Sequence, residues 1–476
     1  MAPPTAAQPV LGSPYFSNFT RRNFQPRLGF SWDPFNNGKT AVRGSIGLYD
    51  MLPLPYELFL GNATTAPFFV QGSENSKCPN PAPPLPPTCL NGTFPGGAFS
   101  SLTGNPKTFK YSYVQTDSHR RYVMQWNLNI QRQIVPNLTI MVGYVGSRGL
   151  HLPLHQDDMD FVIPVATSAG YVFPFGAGVQ KLNPNAGVLV GEEMQNHSWY
   201  DALQVEVTKT LSHGLMLHGS YSWSRNIDYD SGTFAGDSFG NGETTQPWFD
   251  AKIWRGLTDF NISQNLIFNG IWNVPSPKVG GGLGEQVLGG WQISSIFKAN
   301  SGVPLTPNFG AGGDPAGIQG SDTSFVTPNR LTGPGCDTLV NPGNPNNYIK
   351  AQCFAIPTAP TAAFWTANCD PTKGKGIASL QCYNLFGNAG RNILIGPGLV
   401  NLDFSVFKNN YIRKISENFN IQFRWEIFNI LNRANFSVPS SASIFDAKGN
   451  DVSASDIITS TQTPSRQMQV ALKFIF

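Results

Sequence analysis

RQMQVALKFIF, Arg466–Phe476, places Met468, Val470, Leu472, Phe474 and Phe476 on one face of an extended strand. Gln467, Gln469, Ala471, Lys473 and Ile475 fall on the other, because strand side chains alternate with a period of two. A soluble strand can alternate in the same way. Here, however, the last residue is aromatic and lies inside the strand, with no polar tail after it.

The same pattern recurs upstream. Strands are expected near 25–34, 39–50, 122–133, 137–148, 199–210, 214–225, 262–274, 288–299, 399–408, 418–429 and 466–476. In 418–429, Phe419, Ile421, Phe423, Trp425 and Ile427 alternate with Asn420, Gln422, Arg424 and Glu426. In 122–133, Tyr122, Met124, Trp126, Leu128 and Ile130 oppose Gln125, Asn127, Asn129 and Gln131. The second face is rich in Asn, Gln and Ser rather than Lys and Glu, which suits a wet lumen as well as bulk solvent. These lengths match a tilted membrane strand.

Composition agrees. Of 476 residues only 13% are charged, about half the ordinary share. The aromatic content of 12% is too high for disorder. A formal charge of +3 leaves no nucleic-acid footprint. No apolar run approaches the roughly 18 residues of a membrane helix, while alternating barrel strands average to a neutral hydropathy. MAPPTAAQPVLGSPYF at the amino-terminus has no charged or apolar leader segments, so an exported protein is expected to carry its leader upstream of this sequence.

Connections alternate between short and long. The short ones are 35–38, 134–136, 211–213, 275–287 and 409–417; the long ones are 51–121, 149–198, 226–261, 300–398 and 430–465. Asn-Gly and Pro-Asn pairs supply the tight reversals. Long loops on one side and short turns on the other are what a transmembrane barrel has outside and inside the cell envelope. Counting back from a closing strand that runs inward, every long loop falls outside. The fold class expected is therefore all-β, an antiparallel transmembrane outer-membrane β-barrel.

FQPRLGFSWDPFNNGKTAVRGSIGLYD, Phe24–Asp50, resembles the barrel of TonB-dependent receptors of the Oar-like type. QWNLNIQRQ…GYVGSRGLHL (Gln125–Leu152), FRWEIFNILNRANF (Phe423–Phe436) and the Phe-terminated strand are similar to later hairpins of that family. Gly44-Ser45-Ile46 and Leu48 stand where the family more often has Gly-Gly and Phe. The resemblance implies a parent with a regulatory-like domain and a plug before a barrel of about 22 strands. Residues 1–24 would then be a loop remnant and 25–476 the carboxy-terminal part of the barrel. It also implies Phe474 and Phe476 as an assembly signal for the barrel-assembly machinery. TonB would be reached only through a plug, which cannot be found here.

All six cysteines fall in expected outer loops: Cys78, Cys89, Cys336, Cys353, Cys369 and Cys382. An even count in an oxidising compartment suggests disulfides. Cys78–Cys89 is the safest pair, and Cys336–Cys353 with Cys369–Cys382 is the simplest of three connectivities for the rest. Zinc is the alternative, but no C-x-x-C pair is present. His151 and His155, followed by Asp157, Asp158 and Asp160, imitate a metal cluster without its spacing and read as a solvated loop start. Gly310–Gly317 lacks the lysine of a phosphate-binding loop.

Nothing suggests a nucleophile with an ordered base, so no enzyme, metal or cofactor is expected. Arg27, Arg43, Glu206, Lys298, Asp403, Arg424, Glu426 and Lys473 should face the lumen, since a charge facing lipid at mid-bilayer costs about 2–4 kcal/mol. Tyr49, Tyr122, Tyr144, Tyr221, Trp223, Trp272, Trp291 and Trp425 fit interfacial girdles; in a soluble sandwich they would be core. The function expected is binding of an extracellular ligand, of a class the loops do not reveal, for energised import across the outer membrane. The alternatives are a surface adhesion or structural protein and a secreted β-rich carbohydrate-binding protein.

Overall fold

A computed structural model describes residues 23–52, 63, 65, 66, 69, 109–116, 119–156, 158–174, 181–232, 247–276, 283–309, 326–372, 375–412, 414–446, 449–452 and 457–476. Cys78, Cys89 and the glycine-rich stretch 310–317 lie outside them. The main sheet follows chain order. Its strands are β1 (Arg27–Trp32), β2 (Thr40–Asp50), β3 (Tyr122–Val135), β4 (Leu138–Gln156), β5 (Leu189–Ser212), β6 (Leu215–Asp228), β7 (Gln264–Asn273), β8 (Trp291–Asn300), β9 (Leu399–Tyr411), β10 (Asn420–Phe428) and β11 (Gln467–Ile475). Each pairs antiparallel with the next. Among the described residues no strand joins the outer edge of β1 or of β11, so the sheet does not close on itself.

Turn chemistry sets the hairpins. His213 and Gly214 both have positive φ (51° and 77°), as a two-residue turn between twisted antiparallel strands needs. Asn137, at φ 69°, follows Pro136, the order that a type II reversal prefers. Asp33 holds the β1–β2 turn by accepting from the backbone N–H groups of Gly38 (2.7 Å) and Phe35 (3.2 Å).

Opposed residues share a face, so the register carries each face across the sheet. One row runs Ser31, Arg43, Asn129, Gly143, Gln204, Ser222, Asn265, Asn300. The row beside it, on the opposite face, runs Phe30, Gly44, Leu128, Tyr144, Leu203, Trp223. This second face is apolar and uncovered: Phe30, Leu128, Trp223, Phe268, Trp425 and Val470 are all exposed. So much contiguous exposed apolar surface is not a soluble protein's surface.

Seven of the eight girdle aromatics sit on the apolar face, Trp223 the most exposed of them at 59%. Tyr49 does not. Its parity places it with Arg43 on the polar face, where the Arg27 guanidinium lies 4.6 Å from its ring centre.

Loop 149–198 also departs from expectation. β4 runs on to Gln156 and β5 starts at Leu189, so this hairpin projects well past the roughly 10 residues of a membrane strand. Register shifts near Gly149, Leu152 and Leu154, with His151 at φ 56°, break the alternation while the ladder continues.

Buried side chains concentrate in the connections at the same end of the sheet. One cluster joins Phe161, Phe173, Trp254, Phe309, Val326, Ile356, Tyr383 and Phe386. A second gathers Leu305, Tyr348, Ile349, Phe354, Leu394 and Ile444, and a third packs Trp365 and Leu385 about a disulfide. Short strand pairs stitch these segments together, Pro304–Leu305 with Leu394–Ile395 and Asn308–Phe309 with Ser443–Phe445. Together they form a folded cap.

Candidate functional site

The polar face and the cap above it make the candidate site. Arg27, Arg43, Glu206, Lys298, Asp403, Arg424, Glu426 and Lys473 all lie on that one face by register. They do not converge on one point. Arg43 donates to Gln131 Oε1 (2.8 Å), and His218 Nε2 lies 3.2 Å from Glu206 Oε1. Arg43, Gln131 and Glu206 border a cleft of about 390 Å³ with Asn129 and Thr208. Asp403 accepts from the Asn401 amide and the Asn429 backbone N–H, both at 2.9 Å. Lys298 borders a separate cleft of about 420 Å³ with Asn265, Asn300, Pro397 and Gln462.

The largest of these clefts, about 490 Å³, opens where β3 to β6 enter the cap. Gln125, Tyr200 and Asn226 supply its sheet side; Glu192, Asp228 and Asp230 make it acidic. Beside it lies Arg391, wholly buried and 2.6 Å from Asp228, 2.8 Å from Asp259 and 2.7 Å from Ser231 Oγ. Asn392 extends the network, donating to Asp259 (2.7 Å) and to the Leu257 carbonyl (2.6 Å). Burial works against the guanidinium charge, but Asp228 and Asp259 outweigh it and raise Arg391 above its ordinary value. The sequence offered no signal for this arginine: its partners lie more than a hundred residues away.

Cys336 is bonded to Cys353 and Cys369 to Cys382, with Cα separations of 5.5 and 5.1 Å. The second bridge ties Cys369, the residue that ends helix α1 (Ala362–Asn368), to Cys382. Thr361 caps the other end of the helix by accepting from Phe364 N–H at 3.1 Å.

Asp157 lies outside the described residues, but His151, Asp158 and Asp160 are not a solvated loop start. Asp158 is buried and ion-paired to Lys181 at 2.6 Å. Asp160 is fully buried, accepts from Asn183 N–H at 2.6 Å, and burial pushes its carboxyl up to about 6. Among the described residues no group of His, Cys, Asp and Glu is placed to hold a metal ion.

A search of curated proteins returned no match. Several solved structures are similar to this chain over part of their length. The outer membrane transporter YddB of Escherichia coli has a TM-score of 0.42 at 9% identity, covering 94% of this chain and 39% of its own. The ferric enterobactin receptor PfeA of Pseudomonas aeruginosa, in a point-mutant form, gives 0.42 at 10%, covering 94% and 40%. The FrpB iron transporter of Neisseria meningitidis (F5-1 variant) gives 0.36 at 8%, covering 94% and 39%. The chain thus spans about two fifths of the length of these structures. Its sequence matches the family model "outer membrane beta barrel domain" over residues 5–469, and with the two-faced sheet already described, the chain belongs to that family of bacterial outer-membrane barrels.

Proposed function

We propose that this chain is the carboxy-terminal part of the barrel of a TonB-dependent receptor, with residues 1–24 a loop remnant and 25–476 barrel. The apolar face meets lipid, the polar face with its eight charges lines the lumen, and the cap is extracellular and binds the imported ligand. One observation carries the reading: all the large folded connections leave one end of a sheet whose apolar face is uncovered. The two unpaired edges fit eleven strands of a larger barrel, about 22 in the large plugged type. Phe474 and Phe476 would serve the assembly machinery, and TonB would act through a plug supplied by the rest of the parent protein.

Two labelling experiments on the full-length protein in intact cells test this. Cysteines placed at Asp337 and Lys350 in the cap should react with a membrane-impermeant maleimide, while those at Asn37 and His213 in the turns should not. The reverse pattern inverts the orientation. Photo-crosslinking should then capture TonB at the periplasmic side. Surface labelling without any TonB crosslink would favour the adhesion reading and remove transport.

A further inference from the structure

Just beyond the apolar belt, on the same face, the β3–β6 region carries a cluster that import does not use. Four rings run in series: His119 to His151 at 5.3 Å, His151 to His197 at 5.8 Å and His197 to Trp199 at 6.0 Å between centroids. Tyr229 joins both His197 (5.6 Å) and Trp199 (5.7 Å). Two guanidiniums lie on Trp199, Arg255 at 4.5 Å and Arg148 at 5.6 Å from the ring centre. A third, Arg120, lies 5.5 Å from the ring centre of Tyr122.

The charge balance is one-sided. Arg120 pairs with Asp50 at 2.6 Å. Asp201 accepts from Tyr144 and stands opposite Arg225 in the register. Arg148 and Arg255 are exposed and have no ion pair among the described residues. The other rim of the belt differs: there Lys209 is bonded to the carbonyls of Ser212 and Leu215 in its own turn. Arg132, at that same rim, lies over the Phe35 ring at 5.4 Å, but among the described residues only the Trp199 ring carries two guanidiniums.

Residues 201–211 of β5, up to the turn at His213 and Gly214, fill the roughly 9–11 positions of a tilted membrane strand. Trp199 and its cluster therefore sit at the interfacial level, with Tyr144, Leu203 and Val142 exposed beneath them. Guanidiniums held on aromatic rings are preorganised to bind phosphate oxygens bidentately. The apolar surface of the belt is continuous with them and offers acyl chains a place to lie.

We infer that this cluster is a binding site for a phosphate-bearing, multiply acylated lipid of the surrounding leaflet, with Arg148 and Arg255 on the phosphate and the belt on the chains. The inference rests on the apolar face being the lipid face. That premise has its own readout: quenching of tryptophan fluorescence by brominated acyl chains, which is indifferent to the headgroup.

The test is native mass spectrometry of the detergent-extracted full-length protein with diphosphorylated lipid A, with the same lipid stripped of phosphate, and with excess inorganic phosphate as competitor. The parent should retain the phosphorylated lipid, and Arg148→Gln with Arg255→Gln should weaken retention roughly tenfold or more, since each lost charge-assisted contact is a large share of such affinity. Arg132→Gln at the opposite rim should behave as the parent. Arg148→Lys with Arg255→Lys, which keeps the charge, should retain part of the binding. Equal retention of the phosphate-free lipid, or no change in the double Gln variant, overturns the inference. So does complete competition by inorganic phosphate, which would make this a free-anion site.

Discussion

The sheet and the cap are built for two different solvents. Sheet side chains are exposed on the apolar face and mostly half-buried on the polar one, and β1 to β11 are held by backbone ladders. The cap buries Trp254, Tyr383, Phe173, Ile349 and Ile444 almost completely, adds two disulfides, and encloses an ion network. Hydrophobic burial in water holds the cap together. The sheet has no comparable interior, and lipid supplies the apolar surroundings that a core would otherwise give. A change that harms one region should therefore spare the other.

Arg391→Met is the strongest way to break that contrast. It leaves Asp228 and Asp259 buried without their cation, which should cost the cap about 3–5 kcal/mol. Limited proteolysis should then cut within 301–398, while heat-modifiable migration of the sheet in detergent gels stays normal. If both fail together, the two regions are one cooperative unit.

Leu128→Arg strikes the other side. On the exposed apolar face at mid-strand it should cost about 3 kcal/mol in a lipid-vesicle unfolding titration. Asn129→Arg, one residue away on the polar face, should cost far less. Equal losses would remove the distinction between the faces. Next, Cys369→Ala with Cys382→Ala should destabilise the cap by about 2 kcal/mol, seen as faster hydrogen exchange around Trp365 with no change in β9 to β11.

The smallest effect is a pH dependence. The Asp160 carboxyl is raised by burial to about 6, so the folded cap holds a proton that the unfolded chain releases near its ordinary value. Its ionisation penalty is absent below the unfolded value, grows as pH rises between there and about 6, and is complete above. Cap stability should therefore fall by about 2 kcal/mol between roughly pH 4 and pH 7, and Asp160→Asn should flatten that slope. Hydrogen exchange at Asn183, whose N–H bonds this carboxylate, is the readout.

How much could be read from residues alone follows the same division. Strand parity is local, so the ladder from Arg27 to Ile475 and the shared face of the eight charges needed only the period of two. Tyr49 fits a girdle by its chemistry, but its parity with Arg43 puts it on the polar face. The cap was illegible because its contacts are long-range: Asn384 donates to the Phe173 carbonyl across 211 positions, and Arg391 reaches Asp228 across 163. No spacing rule anticipates such partners. The β4–β5 projection was lost at His151, where a left-handed residue disguises a strand as a loop.

β5 is a single strand of 24 residues, passing from the turn at one end of the sheet into the cap without interruption. Mechanically it is a post. A strand hydrogen-bonded on both sides cannot hinge where it leaves the lipid, so the β4–β5 wall must move with the sheet or not at all. The segment between β8 and β9 has a far shorter stem, the pair Pro304–Leu305 with Leu394–Ile395. It leaves Asn300 and returns to Leu399 through Gly302, Gly396 and Gly398, where backbones touch closely. An opening of the cap would have to part the 301–398 side from the β4–β5 side at the cluster they share, Phe161 and Phe173 against Tyr383 and Phe386. Distance measurements between spin labels at Lys350 and Thr208 should broaden, while those between Gln195 and Thr208 should stay sharp.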